Sequence, residues 1–397
     1  MGVELLPILS FLKPAQRFVK GAAVGLTAFA LTACDPSTLN TGQRISTSAP
    51  VPVALLVPAG SSNAGDAQLA QSLENAAKLA IADLGDVQID LRVYPTAGDP
   101  NTAQASAVKA VNEGAKIILG PVFGEAANAA AKAVANSNVN VLSFSNNTTI
   151  AGGNLFVLGP TFENTANRMV AFAKTNGKSN IMTVYSQNSS GQLGNQSIAT
   201  AINAQGAQNA GSVGYEFSQE GVIAAVSQIK LTADQNGADV LFLTSNTSGA
   251  LPLVTQLLPE AGLSPATIQY MGLTRWDIPS QTVELPGVQG GWFAMPDPVL
   301  TQQFQSRYAQ AYGGLPHPIG GLAYDGIAAI GALVKAGKTD ALTTGALTQG
   351  AGFQGVNGIF RLRADGTNER GLAVASIRDK KVVIIDPAPT RFGGAGL

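Results

Sequence analysis

Few residues in this chain are equipped for chemistry. The only histidine is His317 and the only cysteine is Cys34. Zinc coordination, Cys/His catalysis and a Ser/His/Asp triad each need more than that supply. One cysteine also rules out a disulfide within one chain. A Ser-x-x-Lys pattern, in which a lysine activates a serine, occurs at Ser106–Lys109 and again at Ser227–Lys230. Both copies fall inside helical patterns and lack the companion Ser-Asp-Asn and Lys-Thr-Gly strings, so catalysis is not expected. No phosphate-binding Gly-x-x-x-x-Gly-Lys loop and no dinucleotide glycine fingerprint is present, so no cofactor is implied. What remains is non-covalent chemistry. The loop Gly120–Glu125 leads into a helical pattern whose free backbone N–H groups suit an anionic or polar ligand atom. The loop Ser143–Asn147 is rich in small polar side chains.

These two loops are placed by a short unit. Lys116–Leu119 is an apolar run bounded by turn residues, which suits a buried parallel strand. A helical pattern over 124–136 follows, then a second short strand over 139–143. Strand, crossover helix and strand make a right-handed parallel unit. Ligands of such units sit beyond the carboxyl ends of the strands, where both loops lie.

The unit recurs. Residues 53–143 read β-α-β-α-β-α-β, with Asp99-Pro100 as a helix start. A further strand over 155–158 precedes helices over 162–176, 191–205, 221–236 and 250–261. These alternate with strands over 180–185, 212–217, 239–243 and 267–272. A strand over 288–295 and helices over 299–312, 320–336 and 341–349 come next. The segments 359–362, 371–378 and 381–386 read as antiparallel strands, with Asp365-Gly366 as a turn. The fold class is therefore α/β, with two doubly wound lobes.

The 397 residues suffice for two domains, and 45% are hydrophobic, enough for a large core. Only 12% are charged and the net charge is −1, with no basic run. A nucleic-acid partner is not expected.

The N-terminus reads as an address. Lys13, Arg17 and Lys20 precede an uncharged run, Gly21–Ala33, too short for a transmembrane helix. It fits a signal peptide. The run ends Leu31-Thr32-Ala33-Cys34, which resembles the bacterial lipobox, where the cysteine is lipidated after cleavage before it. Residues 1–33 are then a lipoprotein signal and 34–50 a flexible tether. The resemblance implies a membrane-anchored extracytoplasmic protein, with Asp35 leaving the choice of inner or outer membrane open.

Several strings, in order and spacing, resemble the leucine-binding, type I periplasmic binding proteins. They are VALLVPAGSSNAGDAQLAQSLENAAKLAIAD from Val53, DPNTAQASAVKAVNEGAKIILGP from Asp99, VNVLSFSNN from Val139, AYDGIAAIGALVKAG from Ala323 and GVNGIFRLRADGTNERG from Gly355. The likeness covers about residues 51–387. It implies two lobes joined by three crossovers, near Leu158, Pro296 and Gly355. Lobe I would hold 51–157 and 297–354, lobe II 158–296 and 355–387, leaving 388–397 as a tail.

The resemblance also implies a ligand cleft between lobes that closes like a hinged trap. Its lobe I side would draw on Ser61, Asn63, Phe123, Gly124, Ser145 and Asn147. The hydroxyl pair that amino-acid receptors of the family carry after the third strand is replaced here by Val122-Phe123-Gly124-Glu125. Glu125 in the first helical turn is favoured by the helix dipole. The lobe II side would draw on Ser190, Asn246, Thr274, Arg275 and Trp276. Arg275 would take a ligand carboxylate with its guanidinium fork, and Trp276 would cap an apolar part of the ligand.

The expected role is a receptor for a small polar ligand, of amino-acid or amide type, serving an ABC permease. The strings from Phe156 and Arg370 look most like penicillin-binding-protein activator lipoproteins, whose partner would be a peptidoglycan synthase.

Overall fold

The structure is a computed structural model that describes residues 41–393. Cys34 and the signal region lie outside the described residues.

The first lobe is built from β1 (Val51–Val57), α1 (Ala64–Asp83), β2 (Ile89–Pro95), α2 (Pro100–Asn112), β3 (Ile117–Leu119), α3 (Gly124–Val134), β4 (Asn140–Ser143) and β5 (Leu155–Val157). The five strands pair in parallel in the order β2-β1-β3-β4-β5. Central strands such as Ile117–Leu119 are buried on both faces, which explains their uninterrupted apolar sequence. One face of the sheet packs Leu55, Leu73 and Ile117; the other packs Leu56, Ala107, Ala127 and Ile118.

The second lobe follows as α4 (Phe162–Thr175), β6 (Asn180–Ser186), α5 (Ser189–Gln205), β7 (Gln208–Tyr215), α6 (Gln219–Asn236), β8 (Val240–Leu243), α7 (Leu251–Glu260), β9 (Gln269–Gly272) and β10 (Trp292–Met295). Then come α8 (Pro298–Tyr312), α9 (Gly321–Lys335) and α10 (Thr344–Leu347). Core residues of α8, α9 and α10 join the first lobe. The chain closes with β11 (Phe353–Gly355), β12 (Gly358–Leu362), β13 (Asn368–Arg370), β14 (Ala373–Arg378) and β15 (Lys381–Asp386). The second sheet runs β15-β14-β10-β9-β8-β6-β7, parallel except where β14 pairs antiparallel with β10 and β15.

Four expectations are corrected. Strand β7 begins at Gln208, not Ser212, because it is the edge strand of its sheet and tolerates exposed polar residues there. The 341–349 helix shrinks to Thr344–Leu347. Strands β11 and β13, three residues each, carry too little pattern to be read from sequence. Phe353, Val356, Phe360 and Leu362 pack in the first core, whereas Leu372, Ala373 and Val374 pack against the second sheet. The last passage between lobes therefore falls at Gly371–Leu372, not near Gly355.

A fifth correction concerns the tether. From Thr41 onward it is not loose, because Ile45 is buried in the first core and the flanking backbone is hydrogen-bonded to that lobe.

Candidate functional site

Beyond the carboxyl ends of β3 and β4 lies a cavity of about 420 Å³. Its lining includes Phe123, Gly124, Ser145 and Asn147, all named from sequence. Gly120 makes the turn that opens the site. Its φ is +87°, and a Cβ there would lie 2.2 Å from Leu56 O, so only glycine fits. The two loops are stitched together: Phe144 N–H donates to Pro121 O at 3.0 Å, and Ser143 Oγ donates to the same oxygen at 2.9 Å.

Three sets of polar groups at this wall are free donors. Phe123 precedes α3 and supplies no side-chain cap, so the first N–H groups of the helix keep their hydrogens free. Ser145 Oγ accepts from Asn147 N–H at 3.1 Å, which leaves its own hydrogen to give. Asn147 Oδ1 accepts from Thr149 N–H and Oγ1 at 3.0 and 2.8 Å, which leaves the Nδ2 hydrogens. A Cβ on Gly124 would stand 3.3 Å from Asn147 Nδ2 and 3.5 Å from Ser145 Oγ, so the three converge. Ser145 O is already engaged, taking the Gly159 N–H at 3.1 Å. Glu125 is exposed at the rim.

The other walls are apolar. Phe144, Pro160, Ile319 and Leu322 were missed in the sequence. The last two arrive from far along the chain, and no local signal marks them. Close by, burial pushes the His317 imidazole below its ordinary range, and its Nδ1 accepts from Ile319 N–H at 3.4 Å. Ser61 and Asn63 serve another purpose. Asn63 caps α1 through Oδ1 to Gly65 N–H at 3.2 Å, and Ser61 Oγ accepts from Asn63 N–H at 3.1 Å. Neither lines the cavity.

The second lobe does not complete this cavity; no lining residue comes from between Pro160 and Ile319. Ser190 and Asn246 are exposed, and Thr274 is half-buried. The Arg275 fork is already taken by Asp277, with Nε to Oδ1 at 2.9 Å and Nη2 to Oδ2 at 2.5 Å. Trp276 corrects the expectation most sharply. It is fully buried, stacks on Phe293 at 6.5 Å between centroids, and cannot cap a ligand. It fits because Gly272 and Gly291 face it: a Cβ on either would lie 2.3 and 2.2 Å from the indole. Trp276 Nε1 is buried there without a hydrogen-bond partner.

The passages between lobes are joined through one buried ion pair. Asp325, on α9, accepts from Arg370 Nη1 at 3.0 Å and from Val356 N–H at 2.8 Å. Arg370 also donates to Leu158 O at 2.5 Å, and Asn368 Nδ2 holds Val157 O and Gly159 O at 2.8 Å each. Burial pushes the Asp325 carboxyl up, against the pull of Arg370. A polar cavity of about 500 Å³ lies against these passages, lined by Glu163, Arg168, Arg363 and Asn368 among others, and holds none of the predicted ligand residues.

The chain belongs to the periplasmic binding protein family, whose pattern matches residues 50–381. Members of that family bind solutes outside the cytoplasm. No curated protein matches the chain. Among solved structures it is similar to a protein of Rhodospirillum rubrum assigned as a branched-chain amino acid ABC transporter. Identity is 17%, the TM-score is 0.71, and the match covers 85% of this chain and 100% of that one. A branched-chain amino acid ABC transporter periplasmic ligand-binding protein of Burkholderia xenovorans is 21% identical, at a TM-score of 0.64 over 85% and 96%. A solute-binding protein of Rhodopseudomonas palustris, solved with 3,4-dihydroxybenzoic acid, is 19% identical at 0.57 over 86% and 97%. At these identities the likeness speaks for the fold.

Proposed function

We propose that the chain is the lipid-anchored receptor of an ABC-type uptake system, and that its ligand is a small organic acid with an apolar body. One observation carries this reading. The lobe I wall gathers free donors from the α3 N-terminus, Ser145 and Asn147 in a largely apolar cavity, with the Glu125 carboxylate exposed at its rim. A carboxylate satisfies such donors and gains from the helix dipole. Phe123, Phe144, Ile319 and Leu322 suit an aliphatic or aromatic body. Of the nearby acceptors, Asn147 Oδ1 and Ser145 O are already engaged, and the Glu125 carboxylate stands exposed at the rim rather than beside the donors. The carboxylate seat thus moves from Arg275, the sequence-based expectation, to lobe I.

The anchor rests on the lone Cys34 at the end of an apolar leader; among the described residues no helix is long and apolar enough to cross a membrane. The synthase-contact reading rests on strings that form α4, β14 and β15. Of those strings only Pro160 touches the cavity.

The test is calorimetric titration with benzoate, 3,4-dihydroxybenzoate, leucine and benzamide. The acids should bind and benzamide should not. Leucine binding with no benzoate binding would overturn the ligand class. Capture of a peptidoglycan synthase with no acid bound would overturn the receptor role.

A further inference from the structure

The N-terminal strap is built into lobe I as firmly as a strand. Thr41 O accepts from Thr344 N–H at 2.7 Å and from Asn140 Nδ2 at 3.1 Å. Gly42 and Asn138 exchange two bonds, at 3.0 and 3.1 Å. Gln43 Nε2 donates to Ser137 O at 2.6 Å, and Ile45 N–H to Thr339 O at 2.9 Å. Gly42 has a φ of +133°, and a Cβ there would lie 2.4 Å from Leu342 O. No other residue fits that seat.

The seat has a definite place. Ser137, Asn138 and Asn140 stand at the amino end of β4, and Lys116, which reaches Gln43 Oε1 at 3.4 Å, stands at the amino end of β3. The ligand cavity lies past the carboxyl ends of the same two strands. Strap and cavity therefore occupy opposite edges of one sheet.

We propose that the amino edge of lobe I is the surface this protein presents to the bilayer that anchors it, so that the cleft opens away from that bilayer. The inference rests on the reading of Cys34 as the lipidated residue. Seven residue steps separate Cys34 from Thr41, and an extended chain spans at most ~3.6 Å per step, or about 25 Å. A lobe of roughly 190 residues has a diameter of about 40 Å. The leash is too short to pass around lobe I while the strap stays seated. For the uptake role, the permease that reads the cleft must then sit in the membrane opposite the anchoring one.

Energy transfer to labelled lipids tests this. The full lipidated chain is placed in phosphatidylcholine vesicles carrying an acceptor dye. A donor dye is attached at Lys338→Cys on the amino edge or at Ser62→Cys on the carboxyl edge, both exposed. Transfer should be at least twofold stronger from 338. A Gly/Ser insertion of about 30 residues before the strap, which leaves the fold untouched, should shrink that difference. So should Gly42→Val, with benzoate affinity unchanged. Equal or stronger transfer from 62 in a chain that floats with the vesicles overturns the orientation alone. A chain whose Cys34 carries no lipid by mass overturns the anchor, and the orientation with it.

Discussion

The two walls expected to form the cleft are built from the same kind of loop and end in opposite states. On lobe I, the loops after β3 and β4 spend their acceptors on each other and leave donors facing a cavity. On lobe II, the loop after β9 turns its chemistry inward: Arg275 is paired with Asp277, and Trp276 is packed in the core. The difference follows from neighbours. Gly124 keeps lobe I open beside Ser145 and Asn147, whereas Gly272 and Gly291 open a slot that the Trp276 indole fills. In the proposed reading, lobe I is the wall that selects a ligand group.

The largest effect expected from breaking this contrast is at Trp276. Trp276→Ala removes the largest fully buried side chain and should cost about 3–5 kcal/mol of stability. Urea unfolding measures it. Benzoate affinity, taken where the variant is still folded, should stay within threefold. A stable variant that loses affinity would put Trp276 back in the cleft.

Ser145→Ala comes next. Removing a donor to a carboxylate should weaken benzoate binding by about 1.5–3 kcal/mol, read by calorimetry, with little change in the urea midpoint. Full retention of affinity would remove Ser145 from the wall.

Arg275→Ala should change benzoate affinity by less than about 1 kcal/mol, because a partly exposed pair contributes little and its fork is committed to Asp277. A loss of a hundredfold or more would return the carboxylate to lobe II.

The smallest effect concerns pH. Burial lowers the His317 pKa, so the imidazole is neutral above its ordinary range and benzoate affinity should be flat between about pH 7.5 and 8.5. For stability the sign is equally definite. A histidine whose folded pKa is depressed adds stability that is complete above its ordinary range and is lost as pH falls through it. The melting temperature should therefore drop less on acidification in His317→Gln than in the parent. An equal drop would show that His317 does not titrate abnormally.

Much of the fold was legible. Apolar runs such as Ile117–Leu119 and helix starts such as Asp99-Pro100 depend on local pattern, and they appear where that pattern puts them. Of the eleven residues that line the lobe I cavity, the family resemblance named four, Phe123, Gly124, Ser145 and Asn147. Ile319 and Leu322 were not legible, since nothing in their own neighbourhood says which cavity they will meet.

By itself, then, the sequence determined the alternation of strands and helices, the two lobes and the loops that meet at a carboxyl edge. These come from short-range periodicity and turn chemistry, which each segment carries alone. The tertiary structure decided which polar groups remain free. A Trp-Asp pair beside an arginine reads the same whether it faces ligand or core. Only the space left by Gly272 and Gly291, and the carboxylate of Asp277, turned it inward. A polar leader likewise reads as flexible until Asn138, Asn140 and Thr344, far apart in sequence, meet to hold Thr41 and Gly42. Hydrogen-bond partners and packing volume are properties of distant residues brought together, and no local pattern encodes them.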